Sequence, residues 1–368
     1  MRIILDKPLL RAMRGDNHIA NQPLRKLECT TCGLVRDGNE YTPEFLIGMY
    51  ANDYTLDTNA QEYQFLTRDG PIPRSKVLHD WIWQYLDPQR RKNIRSILEI
   101  GCGAGYLLRR MQASLPWAQC LGIEFNNSAR EIAIRYGCRV ITGGIEQISE
   151  DSFDLIYAVT VLEHVPEPGK FLDQIRERLS DDGLLVLAQP TQDVPSSDIY
   201  FAEHLHHFGT DHLGMYARRI GFTEQVKAVG HPLMPNFSLH VWEKAGPSSE
   251  PIRRGRTCCR ESVAQHEADF ARVNDLVREI ELDPGRNLAV FGLNERYSLL
   301  AAYSRLGDAK IVCGLSDVES NVSVDFPVVK PEFVTSFPVS DVLLCVNEVH
   351  LQFVRERMSG FNLAIHSI

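Results

Sequence analysis

Residues 97–109 read ILEIGCGAGYLLR, and the reading of this stretch decides the fold. Ile97, Leu98 and Ile100 form an apolar run of the kind a strand shows when a parallel sheet buries both its faces. Leu107, Leu108 and Met111 then recur at helical spacing, so the strand feeds a helix through a turn rich in glycine. Such a junction leaves backbone N–H groups of the first helical turn without intrahelical partners and places them beside a ligand.

The register of the glycines separates one ligand from another. Gly101, Gly103 and Gly105 form G-x-G-x-G, whereas the dinucleotide fingerprint is G-x-G-x-x-G, and its third glycine position is held here by Tyr106. Glu99 stands just before the turn, where a carboxylate repels a pyrophosphate but can face an ammonium or another cation. The register therefore suits a cationic nucleoside better than a nicotinamide dinucleotide. Residues 120–124, CLGIE, read as the next strand and put Glu124 at its carboxyl end. That is about 20 residues past the turn, the offset at which an acid meets ribose hydroxyls.

Four blocks, LEIGCGAG, GIEFN, SFDLIYAVTVLEHV and LSDDGLLVLAQP, follow in this order between residues 95 and 190. On them the chain resembles the class I S-adenosylmethionine-dependent methyltransferases. The resemblance implies an α/β fold with a doubly wound, Rossmann-like sheet. Its last two strands, GFTEQVKAVG and NFSLHVWEKA, follow one another with no helix between them, as in the antiparallel pair that closes such a sheet. S-adenosylmethionine is the implied cofactor and S-adenosylhomocysteine the product. The implied cofactor residues are Glu99, Gly101, Cys102, Gly103, Gly105, Tyr106, Glu124, Phe125, Gly144, Ile145, Val159 and His164. Gly101 and Gly103 would lie under the methionine portion, Glu124 on the ribose hydroxyls, and Gly144 and Ile145 near the adenine.

Composition narrows the setting. The chain has 368 residues, enough for more than one domain, and its 44% hydrophobic and 24% charged residues are ordinary for a globular protein. A net charge of -9, with no basic stripe beyond PIRRGR at 251–256, argues against a nucleic-acid partner. No apolar run approaches the roughly 20 residues a bilayer demands, so no membrane association is expected. The charged start MRIILDKPLLRAMRGDN and nine cysteines, an odd number, point to a reduced, cytoplasmic setting.

Along the chain four parts are expected: an N-terminal segment, 1–70, with CTTCG and the aromatic MYANDY; the methyltransferase domain, 71–245; a linker and helix, 246–282; and a smaller Rossmann-like α/β domain, 283–368. In the last part, Gly292 follows an expected strand at 287–292, and Asp317 follows another at 309–317, where a ribose acid would sit. This order resembles the bacterial sugar C-methyltransferases, in which an N-terminal zinc-type segment precedes the core and the C-terminal domain shapes the substrate site. Here Cys29 and Cys32 alone remain of a four-ligand set, and a closed zinc site wants four ligands, so no metal is expected.

The segment YFAEHLHHFG, 200–209, resembles that family's Glu-His pair. Transfer to a carbon acid or a neutral heteroatom requires removal of a proton, and a histidine titrates in the right range. His204 is expected as general base, with Glu203 orienting it or binding substrate. The family's tyrosine position, two places before the glutamate, is Phe201 here, and Tyr200 is displaced from it by one residue. Glu163 and His164 in LEHV are expected to shape the cofactor pocket. The acceptor is expected to be a small molecule, a nucleotide-linked sugar or related intermediate. An O- or N-methyltransferase without an essential base, and a non-catalytic binding subunit on the same fold, are the alternatives.

Overall fold

The computed structural model describes residues 1–8, 11–53, 62–67, 70–149, 152–317, 322–346 and 348–368. Tyr54 of the aromatic stretch and Asn347 of DVLLCVN, 341–347, which reads as a further strand of the last part, lie outside these residues. The chain forms two compact units that interleave along the sequence. One comprises Met1–Ile3, Lys26–Asp198 and His204–Cys259, and the other Ile4–Arg25, Ile199–Glu203 and Arg260–Ile368.

The first unit is built on seven strands: β1 (Ser96–Ile100), β2 (Gln119–Glu124), β3 (Val140–Thr142), β4 (Phe153–Val159), β5 (Leu179–Pro190), β6 (Phe222–His231) and β7 (Met234–Lys244). Their order across the sheet is 3-2-1-4-5-7-6, parallel except for β7, which runs antiparallel to both neighbours. Alternation along each strand divides the apolar side chains between two faces. Leu98, Ile100, Ile156, Ala158, Leu185 and Leu187 pack on one side with helices α4 (Pro168–Arg178) and α5 (Thr210–Ile220). Ile97, Leu155, Tyr157, Val186 and Ala188 pack on the other with α1 (Arg74–Tyr85) and α2 (Tyr106–Ser114). Helix α3 (Asn127–Arg135) begins on Asn126, whose side-chain oxygen accepts the Ala129 N–H at 2.9 Å.

A small antiparallel ladder completes this unit. Residues Lys26–Glu28 pair with Val35–Asp37, which in turn pairs with His206–His207. The buried Lys26 ammonium donates to Asp37 at 3.0 Å and to the His204 carbonyl at 2.8 Å, which pins the histidine-rich segment to the N-terminal strands.

The second unit carries the long helix α6 (Cys259–Leu282) and a wholly parallel sheet of β8 (Leu288–Phe291), β9 (Ile311–Leu315), β10 (Val328–Val329), β11 (Asp341–Leu344) and β12 (Ala364–Ser367), in the order 10-9-8-11-12. Helices α7 (Glu295–Tyr303) and α8 (Glu348–Met358) connect its strands. Residues 199–203 belong here: the Ala202 N–H donates to Met13 O at 2.8 Å, and the Tyr200 ring packs on Phe270 and Tyr303. Among the described residues no helix is long and apolar enough to cross a membrane.

Candidate active site

The order 3-2-1-4-5 reverses direction between β1 and β4, and open α/β sheets take their ligands beyond the carboxyl ends of the strands at such a reversal. The glycine turn after β1 lies there, with Gly101, Gly103 and Gly105 at φ of 69°, 51° and 77°. Side chains rarely tolerate that conformation. A Cβ on Gly101 would also stand 2.7 Å from Val161 Cγ2. The strand β4 ends in strain of its own, since the β-branched Thr160 is held at φ 52°.

Glu124, the last residue of β2, accepts the Gly103 N–H on Oε2 at 2.8 Å and the Asn126 N–H on Oε1 at 2.7 Å, so its carboxylate is oriented at the carboxyl end of β2. Glu99 is buried on β1 and accepts the Tyr157 hydroxyl at 3.0 Å from the neighbouring position of β4. Burial, and then the Glu99 charge, push the Tyr157 phenol and the Cys102 thiol well above their usual ranges, which leaves Cys102 a neutral packing group. Tyr106 opens α2, Phe125 follows Glu124, and Gly144 and Ile145 follow β3. Val159 ends β4, and His164 sits in the turn Leu162–His164 just past it. The residues expected at the cofactor thus gather at the carboxyl ends of β1 to β4. A glycine turn held close to its neighbours by positive φ, and an acid at the second strand's tip, fit a cationic nucleoside.

A second cluster lies in the same unit. The Asp198 carboxylate is hydrogen-bonded to Nδ1 of His204 and, at 2.6 Å, to Nδ1 of His207, and accepts the Gln192 side-chain amide at 2.5 Å. Burial alone would raise the Asp198 carboxyl, but the two imidazoles outweigh it and hold it well below the carboxylate range. With Asp198 ionised, Nδ1 of His204 carries a proton and donates it to the carboxylate. His207 is pushed down to about 4 by burial and by the nearby Lys26 ammonium. His206, beside it, is pushed down to about 4 by burial and then by His207.

The turn after β4 meets this cluster. The His164 ring stands edge-on to His204, with centroids 4.6 Å apart, and its Nδ1 lies 2.8 Å from the Tyr50 hydroxyl. Glu163 is 2% exposed, and its Oε1 lies 3.9 Å from His164 Nε2. Neither carboxylate oxygen of Glu163 has a hydrogen-bond partner among the described residues. Burial pushes this carboxyl up to about 7. Glu163, His164 and His204 present ligand atoms within 4.8 Å of one another, as do Asp198, His204 and His207. The second trio is already joined by hydrogen bonds.

Of the residues expected around the base, His204 and His164 come together. Glu203 and Tyr200 are counted in the other unit: Glu203 Oε1 accepts the Gly15 N–H at 2.6 Å, and the buried Tyr200 hydroxyl donates to Glu267 at 2.7 Å. The carboxylate on His204 Nδ1 is Asp198; Glu203, expected to orient His204 or to bind substrate, turns its Oε1 to the Gly15 N–H. Asp198 and Tyr50 escaped the sequence reading because each lies in a short helical turn, Ser197–Tyr200 and Met49–Asp53, too brief for a period to mark a side chain as inward-facing. The pair PSSDIY–EHLHH, an acid six residues before a histidine, is the one signal that could have found Asp198.

Residues 73–230 match the family model described as "Methyltransferase domain". The chain is 24% identical over 295 residues to a tRNA U34 carboxymethyltransferase of Alteromonas mediterranea, covering 72% of this chain and 80% of that protein. It is 30% identical to a malonyl-[acyl-carrier protein] O-methyltransferase of Halalkalibacterium halodurans, over 38% of this chain and 56% of the relative. The N,N-8-amino-8-demethyl-D-riboflavin dimethyltransferase of Streptomyces davawensis matches 46% of this chain and 55% of its own, with 14% identity and a TM-score of 0.39. The matched residues, 73–230, include the glycine turn and the reversal of strand order between β1 and β4, and over them the chain is similar to methyltransferase domains.

Proposed function

We propose that this methyltransferase moves a methyl group to a small hydroxylated acceptor, a nucleotide-linked sugar or related glycan intermediate, with His204 taking the acceptor's proton. When bound, S-adenosylmethionine supplies an electrophilic methyl group. The chain's residues do the rest: Glu124 and the glycine turn hold the nucleoside, and Asp198 fixes the imidazole that receives the proton. The observation that carries this reading is the hydrogen bond from His204 Nδ1 to a fully buried Asp198, which sets the tautomer of a general base and stabilises the imidazolium it becomes.

The likeness to a tRNA-modifying enzyme makes tRNA the rival acceptor. A net charge of -9 counts against it, since affinity for nucleic acid is carried largely by cationic side chains. The test is a turnover screen with nucleoside-diphosphate ketosugars and with tRNA, run on the wild type and on His204→Ala. A positioned base contributes about 10²- to 10⁴-fold. His204→Ala should lose methylation of a sugar on that scale and still bind S-adenosylmethionine in calorimetry. Near-normal turnover by the variant would remove the base, and methylation of tRNA alone would remove the acceptor class.

A further inference from the structure

We infer that Glu163 is the counter-charge of the transfer site: its carboxylate faces the sulfonium of the bound cofactor and makes the protein select that cation over the neutral product. The inference rests on the reading of the carboxyl ends of β1 and β4 as the transfer site. It starts from a contrast among buried acids. Glu99 takes the Tyr157 hydroxyl, Glu124 two backbone amides, and Asp198 two imidazoles and an amide. Glu163 is equally buried, yet neither of its oxygens receives a hydrogen bond among the described residues. Burying a carboxylate that accepts no side-chain hydrogen bond, with His164 Nε2 3.9 Å from one oxygen, is costly in a protein interior, and such groups persist where a ligand supplies what the fold does not.

Position says which ligand. Val161, two residues before Glu163, packs where a Cβ of Gly101 would stand, so the exit of β4 crosses the glycine turn that seats the methionine portion. The Glu163 carbonyl accepts the Leu205 N–H at 2.7 Å, which fixes its turn against the histidine segment. His164 is held by Tyr50 and His204 by Asp198, so two restrained imidazoles flank the carboxylate. Its elevated carboxyl, at about 7, means that an arriving cation readily finds or induces the charged form near neutral pH.

The charge balance of the reaction fits this placement. The carbon–sulfur bond of the sulfonium breaks and its electron pair stays on sulfur, which becomes a neutral thioether. A bond from the acceptor atom to the methyl carbon forms, and the acceptor's proton passes to His204 Nε2. One positive charge thereby leaves the sulfonium and appears on the imidazole, next to Glu163 on both occasions. The carboxylate therefore keeps a counter-ion through the transfer, and loses it when the proton departs.

The experiment is calorimetric binding of S-adenosylmethionine and of S-adenosylhomocysteine to the wild type, Glu163→Gln and Glu163→Asp, with metal content measured in parallel. An opposite charge within about 4–6 Å shifts a charge equilibrium by one to three powers of ten. Glu163→Gln should therefore move the affinity ratio against S-adenosylmethionine by about tenfold or more, and leave S-adenosylhomocysteine affinity near the wild-type value. Glu163→Asp, with the charge drawn back by one methylene, should fall between, and it carries the test if the glutamine variant does not fold. An unchanged ratio overturns the inference, and so does equal weakening of both ligands, which would make Glu163 a packing group. Stoichiometric divalent metal in the wild type, lost with Glu163→Gln while the ratio holds, overturns it in favour of a metal. A wild type that binds neither ligand refutes the reading of the transfer site itself, and is seen before any substitution is made.

Discussion

The mostly parallel sheet of the first unit and the wholly parallel sheet of the second present the same apparatus and spend it differently. In the first unit three glycines with positive φ follow β1, and the acid that ends β2, Glu124, accepts the Gly103 amide of that turn on one oxygen and the Asn126 amide of its own loop on the other. In the second unit Gly292 (φ 90°) follows β8, where a Cβ would meet Cys345 O at 2.7 Å, so this glycine serves close packing between strand ends. The acid after β9, Asp317, is held by the Arg357 guanidinium through bonds of 2.8 and 2.7 Å. Strand order reverses in both sheets, beside the strand that each glycine follows. Whether an acid at that edge is presented toward a nucleoside or spent on a neighbouring helix depends on what the loop after the first strand offers it.

The units should part company most strongly in acid. His206 and His207 in the first unit are pushed down to about 4 from an ordinary value near 6.5, mainly by burial. Between those values the unfolded chain binds more protons than the folded one, so stability is present above pH 6.5 and is lost as pH falls toward 4. The second unit's strongly shifted acid, Asp341, is held down against burial by Arg286, Ser340 and His366, and gives up its contribution only below the ordinary carboxylate range. His266 there is lowered by burial as well, so the contrast is one of degree. Hydrogen exchange followed from pH 7 to 4 should show the first unit losing a few kcal/mol of protection before the second does. Loss in the reverse order breaks the contrast.

Glu124→Ala tests the presented acid directly. Removing hydrogen bonds to ribose hydroxyls and releasing the amides of Gly103 and Asn126 should weaken S-adenosylmethionine by about 1–3 kcal/mol, roughly ten- to a hundredfold. Calorimetry that returns wild-type affinity would remove Glu124 from the nucleoside site.

How much of this was legible in the sequence follows from period. The run of Ile97, Leu98 and Ile100, the helical recurrence of Leu107, Leu108 and Met111, and the two successive strands after residue 221 all carry a period of their own. They emerged as β1, α2, β6 and β7 close to the expected bounds. The spacing from glycine turn to acid was equally readable, because it is fixed by one helix and one strand. The interleaving of the units was not. That residues 4–25 and 199–203 pack with the C-terminal sheet depends on contacts such as Met13 N–H to the Tyr303 hydroxyl at 3.0 Å, some 290 positions apart along the chain, for which no local pattern exists. Asp198 was hidden for the same reason: a carboxylate that bridges His204 and His207 is, in sequence, one acid in a polar loop.

Asp317→Ala is expected to be the mildest change, and it bears most on whether the second sheet is a nucleotide seat at all. By sequence offset Asp317 stands where a ribose acid would, so an alanine there should matter if the site works as the first one does. Its side chain is 43% exposed and its partner Arg357 is 34% exposed, and exposed ion pairs contribute little because water screens them and two long side chains must be held still. Arg357 also lies 3.4 Å from Glu332, so its guanidinium keeps a carboxylate when Asp317 is gone. The expected cost is under about 0.5 kcal/mol in thermal or denaturant melting. Affinity for S-adenosylmethionine should be unchanged, because the ribose contact proposed here belongs to Glu124. A loss above about 1 kcal/mol of stability, or any loss of nucleoside binding, would show that Asp317 is presented rather than spent, and the distinction between the two acids would fall with it.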